Sequence, residues 1–248
     1  MRNYKMTIAY DGTKYQGWQR QSGTELTIQE TIEKAISGFA GYSVQINGSG
    51  RTDSGVHAWG QTADVKLSGR VDEARFRDCV NSALPEDIKI RKVELVKNGF
   101  HSRFSALAKK YEYTIDQNEK PCVFTRKYCC HYVKKLNVEE MKNAAAFLVG
   151  THDFGGFTDK KDEKSTVRTI YNIEIIQSGG KIKLIFHGNG FMYHMVRILT
   201  GTLLEVGSGE KKAEAVQAIL KTKTRADAGF LAPAAGLCLK EVIYHNGL

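Results

Sequence analysis

Apolar and polar residues alternate over Lys5–Tyr10, Ile88–Val96 and Tyr111–Ile115, and each alternation predicts a β-strand buried on one face. Tyr42–Asn47 alternates in the same way and Trp59–Val65 more weakly. Val167–Ile176 and Lys181–His187 flank Gly179-Gly180, a strong hairpin signal. Helical spacing appears elsewhere. Thr27-Ile-Gln-Glu30 reads as a capping box ahead of a stripe formed by Ile28, Ile32, Ala35, Ile36 and Phe39. Asp72 caps a second helix that buries Phe76, Cys79, Val80 and Ala83 and stops before Pro85. Asn137 caps a third, through Met141, Ala145 and Leu148. A fourth runs from Phe191 to Val206 and ends at Gly207, and Lys211–Leu220 forms a short basic helix. Lys127–Val133 and Gly236–Tyr244 read as further strands. Strands outnumber helices and the order of elements appears twice, so the expected class is α+β with two similar halves, residues 1–105 and 106–248.

Composition narrows the class without fixing it. The chain has 248 residues, 42% hydrophobic and 25% charged, an ordinary globular balance. Lys and Arg outnumber Asp and Glu by 36 to 27, a net charge of +9 that favours polyanionic partners through phosphate neutralisation. The 5 cysteines include the adjacent pair Cys129-Cys130 and no Cys-x-x-Cys, which reads as reduced thiols in a cytoplasm. Cys122, Cys129, Cys130 and His131 lack the paired spacing of a structural zinc site, so no metal is expected. No apolar run approaches the ~20 residues a membrane span needs. Thr158–Ser165 is a charge run without an apolar anchor, read as a mobile surface loop.

Three stretches carry candidate chemistry. Ser49-Gly50-Arg51-Thr52-Asp53-Ser54-Gly55-Val56-His57-Ala58 sets a carboxylate and a guanidinium two residues apart between glycines, in a turn joining two strands. An Asp in such a turn ordinarily bonds its own backbone, so the alternative to a catalytic Asp53 is a turn-former. Thr13–Gln21 mixes Lys14 and Arg20 with Tyr15 and Trp18, residue types that meet phosphates and stack on unpaired bases. Its alternative is a surface loop with two part-buried rings. Arg197 stands inside an otherwise apolar helix. There it either meets an anion, for which Asp53 is the candidate, or snorkels to the surface.

Together these stretches resemble the TruA type of tRNA pseudouridine synthase. The resemblance rests on Tyr10-Asp-Gly-Thr-Lys-Tyr-Gln-Gly-Trp-Gln19, Gly48-Ser-Gly-Arg-Thr-Asp-Ser-Gly-Val-His-Ala58, Phe100-His-Ser-Arg-Phe-Ser105 and Lys110-Tyr-Glu-Tyr113. It continues through Gly150-Thr-His-Asp-Phe154, Val167-Arg-Thr-Ile170, Gly188-Asn-Gly-Phe-Met-Tyr-His-Met-Val-Arg197 and Leu231-Ala-Pro-Ala-Ala-Gly-Leu237, nearly the whole chain in order. It implies a pseudouridine-synthase fold, with two RNA-recognition-like halves sharing a mainly antiparallel sheet, flanking helices and a basic central cleft. It also implies a homodimer that grips tRNA and isomerises uridine in the anticodon stem-loop at positions 38 to 40, without a cofactor. By the same resemblance Asp53 is the catalytic carboxylate, Arg197 its partner and Tyr111 the active-site tyrosine. Arg51 helps turn the nucleotide out and Leu237 packs near the uracil, with Lys14, Arg20, Arg103 and Lys110 as further contacts to RNA.

Two departures stand out. Gly155-Gly-Phe-Thr158 replaces the family's Ser-x-Phe-Arg, and Ser54 replaces an Ala. The competing readings are an RNA-binding protein on the same scaffold that does no chemistry, and a synthase acting on another RNA. A hydrolytic nucleosidase using Asp53 ranks last, because no second positioned acid is evident.

Overall fold

The computed structural model describes residues 1–160 and 165–245, and the chain forms two compact units. The first takes Met1–Leu107 together with the closing strand from Cys238. The second takes Ala108–Leu237.

In the first unit β1 (Arg2–Tyr10), α1 (Ile28–Ala40), β2 (Ile46–Gly48), β3 (His57–Leu67), α2 (Glu73–Ala83) and β4 (Ile88–Val96) follow one another as strand-helix-strand-strand-helix-strand. β1 is central and pairs antiparallel with β3 (Met6 opposite Ala63) and with β4 (Met6 opposite Val93). β2 pairs antiparallel with one end of β3, and Cys238 and Leu239 run parallel to its other end. The alternation of β1 sends Tyr4, Met6 and Ile8 to a fully buried face, and the helices contribute Ile28, Ile32, Ile36, Phe76 and Val80 to the same core. The Phe76 ring lies 6.3 Å from Tyr4 and 5.1 Å from Phe39.

β3 alternates weakly because both of its faces are covered. The buried Asp64 accepts from Ser102 N at 2.6 Å and from Asn47 Nδ2 at 2.9 Å, so a polar side chain sits where alternation expects solvent. Tyr42–Asn47 contributes only Ile46 and Asn47 to a strand. Side chains of α1 compete for its backbone: Ser37 Oγ accepts from Val44 N and Glu33 Oε1 from Ile46 N, each at 3.0 Å. The Thr27 cap accepts from Glu30 N at 3.3 Å, but Thr27 N donates to Glu25 O, so the box closes on one side only.

The second unit holds β5 (Ala108–Asp116), β6 (Cys130–His131), α3 (Val138–Ala146), β7 (Gly150–Asp153), β8 (Val167–Ser178), β9 (Lys181–Gly188), α4 (Met195–Gly207) and α5 (Ala215–Thr222), and β10 (Leu237–Ile243) follows. The antiparallel sheet runs β5-β9-β8-β7, with β6 parallel on β5. Gly179 and Gly180 take φ of 56° and 74°, the conformation a tight hairpin turn requires. Lys127–Val133 shrinks to a two-residue strand because its first part folds back as turns, with Arg126 N donating to Cys122 O at 2.9 Å and Tyr128 N to Thr125 O at 2.8 Å. α4 starts at Met195 rather than Phe191: His194 stands at φ 63°, left-handed, and breaks the helical path. α5 starts four residues later than the spacing predicts. Of the charge run, residues 161–164 lie outside the described part. Its start is anchored, with the buried Thr158 donating to Tyr193 O at 2.9 Å.

Among the described residues no helix is long and apolar enough to cross a membrane, and no group of three His, Cys, Asp or Glu side chains is placed to hold a metal ion. Asp72 Oδ1 accepts from Arg75 N at 2.7 Å and caps α2. Asp72→Ala removes that acceptor and lowers stability by about 1 kcal/mol in urea unfolding, with the slope unchanged.

Candidate active site

The Asp53 loop, between β2 and β3, is fastened at both ends by buried polar groups. Ser49 N donates to Thr62 O at 2.8 Å, Ser49 Oγ to Gln61 Oε1 at 2.7 Å, and Gln61 Nε2 to Gly50 O at 3.1 Å. Thr52 and Tyr10 share a 2.8 Å bond between hydroxyls, and Trp18 N donates to Thr52 O at 3.1 Å. Burial pushes the Tyr10 phenol up, so it stays neutral. The Trp18 indole packs so tightly on Gly48 that a Cβ there would stand 2.4 Å from Nε1.

The turn itself closes through Val56 N to Asp53 O at 3.1 Å, with Gly55 at φ 76°. Tyr15 O receives both Gly55 N at 3.3 Å and Ser54 Oγ at 3.2 Å. Backbone on each side of Asp53 is therefore fixed, while its side chain keeps partial exposure. Gly12 N donates to His57 Nδ1 at 3.1 Å. The Asp11 carboxylate lies 3.2 Å from the same nitrogen, so the imidazole ties the start of the 12–15 turn to β3.

The other candidates of this unit surround the loop. Arg51 is exposed and donates from Nε to Gln19 Oε1 at 3.2 Å. Arg51 and Arg103 line one open groove of about 240 Å³ beside the loop. Lys14 reaches solvent with Nζ 3.5 Å from Asp87, which also accepts from Tyr15 OH at 2.6 Å. Arg20 has a structural partner: its Nη1 stands 3.0 Å from the buried Glu33, the carboxylate that also holds Ile46 N.

In the second unit Tyr111 lies opposite Phe186, 7% exposed, with Phe191 edge-on to its ring at 5.3 Å and 85°. It shares the buried face of β5 with Tyr113 and Ile115, whereas Lys110 points to the other face. Arg197, half-buried, donates from Nε to Ala232 O at 2.7 Å, and Tyr113 OH donates to Pro233 O at 2.8 Å. These two bonds hold the segment that delivers the buried Leu237. Gly236 is required there, since a Cβ would stand 2.6 Å from the Tyr113 ring.

Several supporting residues escape sequence reasoning. Gln61 lies among other polar residues of β3, His57, Thr62 and Asp64, so its type alone does not announce its buried bonds. Asp159, near the start of α4, joins His194 Nδ1 at 2.6 Å to Arg225 Nε at 2.7 Å across 66 residues of chain, which no local pattern announces. Partial burial opposes ionisation of Asp159, but the bonds from His194 and Arg225 outweigh it and hold its carboxyl below the ordinary range.

Two expectations follow. A Cβ on Gly12 would stand 2.0 Å from Val56 O, so Gly12→Ala forces the 12–15 turn off the loop. The expected result is a stability loss of about 1–3 kcal/mol and faster amide exchange at Gly55 and Val56. For Asp159, the folded-state pKa is depressed, so its contribution is complete above the unfolded value of about 3.9 and is lost as pH falls through the folded one. Stability curves of wild type and Asp159→Asn separate at pH 7 and converge below about pH 4.

The model of the tRNA pseudouridine synthase family matches residues 6–105 and 144–245. Similar chains include the tRNA pseudouridine synthase A of Bacillus sp. (strain KSM-64), 46% identical over 245 residues that cover 98% of this chain and 100% of that one. Another is the tRNA pseudouridine synthase A 1 of Clostridium tetani (strain Massachusetts / E88), 44% identical over 245 residues with coverage of 98% and 100%. Among solved structures, a Cbf5-Nop10-Gar1 complex aligns with a TM-score of 0.40 and 11% identity, over 95% of this chain and 48% of that chain. The family model reaches into both units and the relatives align end to end, so this chain belongs to the tRNA pseudouridine synthase family.

Proposed function

We propose that this protein isomerises uridine to pseudouridine in the anticodon stem-loop of tRNA, at positions 38 to 40, as a cytoplasmic homodimer. The observation that carries the reading is the Asp53 loop: hydrogen bonds fix both flanks of an aspartate that stays partly exposed.

The chemistry asks for little more than that carboxylate. The bond between C1′ and N1 of uracil breaks, the base turns, and C1′ joins C5. The C5 proton leaves and N1 ends protonated, so atoms and electrons balance without a cofactor. Asp53 answers the positive charge that develops at C1′, either by covalent capture or by removing the 2′ proton. Arg197 serves to keep that carboxylate ionised and oriented. The Tyr111 ring packs on the uracil, and its hydroxyl is the candidate acceptor of the C5 proton. A phenol with an ordinary pKa near ~10 needs assistance for that role. Leu237 completes the apolar contact with the base. Arg51 assists in turning the nucleotide out of its stack, a step that costs about a few kcal/mol in base-flipping enzymes. Lys14, Arg20, Arg103 and Lys110 contribute positive charge toward the phosphates.

The test uses tRNA transcripts carrying tritium at C5 of uridine, with wild-type protein and Asp53→Asn. Wild type releases tritium into water, and the variant releases none while binding the same RNA within about threefold. Tight binding without release by wild type, from any tRNA, would replace the isomerase by a non-catalytic RNA-binding protein. Release only from another RNA would move the activity to that substrate.

A further inference from the structure

The turn after β4 presents a phenyl ring to solvent on a rigid support. Phe104 is 79% exposed, yet its turn is tied down: Ser105 N donates to His101 O at 2.9 Å, Ser102 N to the buried Asp64 at 2.6 Å, and Tyr244 OH to Ser102 O at 2.7 Å. Arg103 N donates to His101 Nδ1 at 3.1 Å, which orients the imidazole. The imidazole packs against the phenyl with 4.4 Å between centroids. An isolated exposed Phe is ordinary and calls for no explanation. This one lies on the groove of about 240 Å³ that Arg51 and Arg103 also line, next to Gly50 of the Asp53 loop.

Charge and size describe the occupant. Two guanidiniums line the groove and no carboxylate does, among the described residues, which suits a phosphodiester. Its volume is below the roughly 300–1,000 Å³ of pockets for drug-sized ligands, the scale of one planar base with its phosphate. Turning a uridine out of its stack leaves the adjacent base without a neighbour, and an aromatic ring beside the loop replaces the lost stacking.

We propose that Phe104, backed by His101, is the stacking platform for the base left unstacked next to the target uridine, with Arg51 and Arg103 on the connecting phosphates. The inference rests on the reading of this protein as an RNA uridine isomerase, and it adds a positioning site that sets which nucleotides flank the target. Phe104 touches no reacting atom, so its effect belongs to binding rather than to the chemical step.

The experiment measures dissociation constants in the Asp53→Asn protein, which prevents turnover. The probes are a synthetic stem-loop taken from the transcript bound most tightly, and versions with one abasic nucleotide at each position within two of the target. Phe104→Ala weakens binding of the intact RNA about tenfold, and Phe104→Trp restores it. One abasic position costs the Phe104 protein about tenfold and the Phe104→Ala protein nothing further, so the two losses do not add. Unchanged affinity in Phe104→Ala overturns the proposal, as do losses that add in full at every position. A change of association state in sedimentation with no coupling to any base also overturns it, and assigns the ring to contact between copies. Because the readout is binding, the platform can fail while tritium release persists, and release can be absent while stacking is found.

Discussion

A carboxylate that acts on a ligand must be held still without being covered. For the role proposed for Asp53, the backbone on either side of it meets that constraint. Tyr15 O takes Gly55 N and the Ser54 hydroxyl, Thr52 is bonded to the buried Tyr10, and Gln61 fastens Ser49 and Gly50. Each bond is worth only about 1 kcal/mol net, but leaving its buried partner unpaired costs about 1–3 kcal/mol, so the loop resists partial opening. Asp53 itself stays partly exposed beside these fastened neighbours.

That arrangement depends in turn on the first sheet. Tyr10 reaches Thr52 only because β1 is the central strand and pairs with β3 on one side and β4 on the other. The irregularity in the β1–β3 register between Ile8 and Tyr10 falls at the level where β3 leaves the loop. Trp18 fills the space over Gly48, and Gly12 abuts Val56. The 11–19 segment and the Asp53 loop thus lock each other through two glycines that no larger residue can replace without displacing backbone.

The second unit uses a different device for its candidate residues. Tyr111 takes its position from the alternation of β5, and Arg197 from the first turn of α4, whose start is set by the left-handed His194 and its bond to Asp159. Arg197 and Tyr113 then hold successive carbonyls at Ala232 and Pro233, which places Leu237 at the start of β10. The bond to Ala232 O satisfies one donor of the Arg197 guanidinium and so contributes to accommodating an Arg in so apolar a helix.

Periodicity and capping residues determined most of the elements by themselves. β4 matches its expected bounds, the Asp72 and Asn137 caps open their helices, and the Gly179-Gly180 hairpin stands where the pattern put it. These features are local, because alternation, caps and glycine turns are read within a few residues. The family, too, was legible, because its motifs are short blocks of fixed order. What the sequence left to the tertiary structure is non-local. The shortening of Tyr42–Asn47 came from side chains of α1, and the late start of α4 from His194, which takes positive φ where its imidazole meets Asp159 and the preceding Tyr193 O accepts from Thr158. Gln61, His57 and Asp159 gained their roles only when distant segments were brought within hydrogen-bond reach. A bond between residues tens of positions apart leaves no periodic trace in the chain, so only folding decides it.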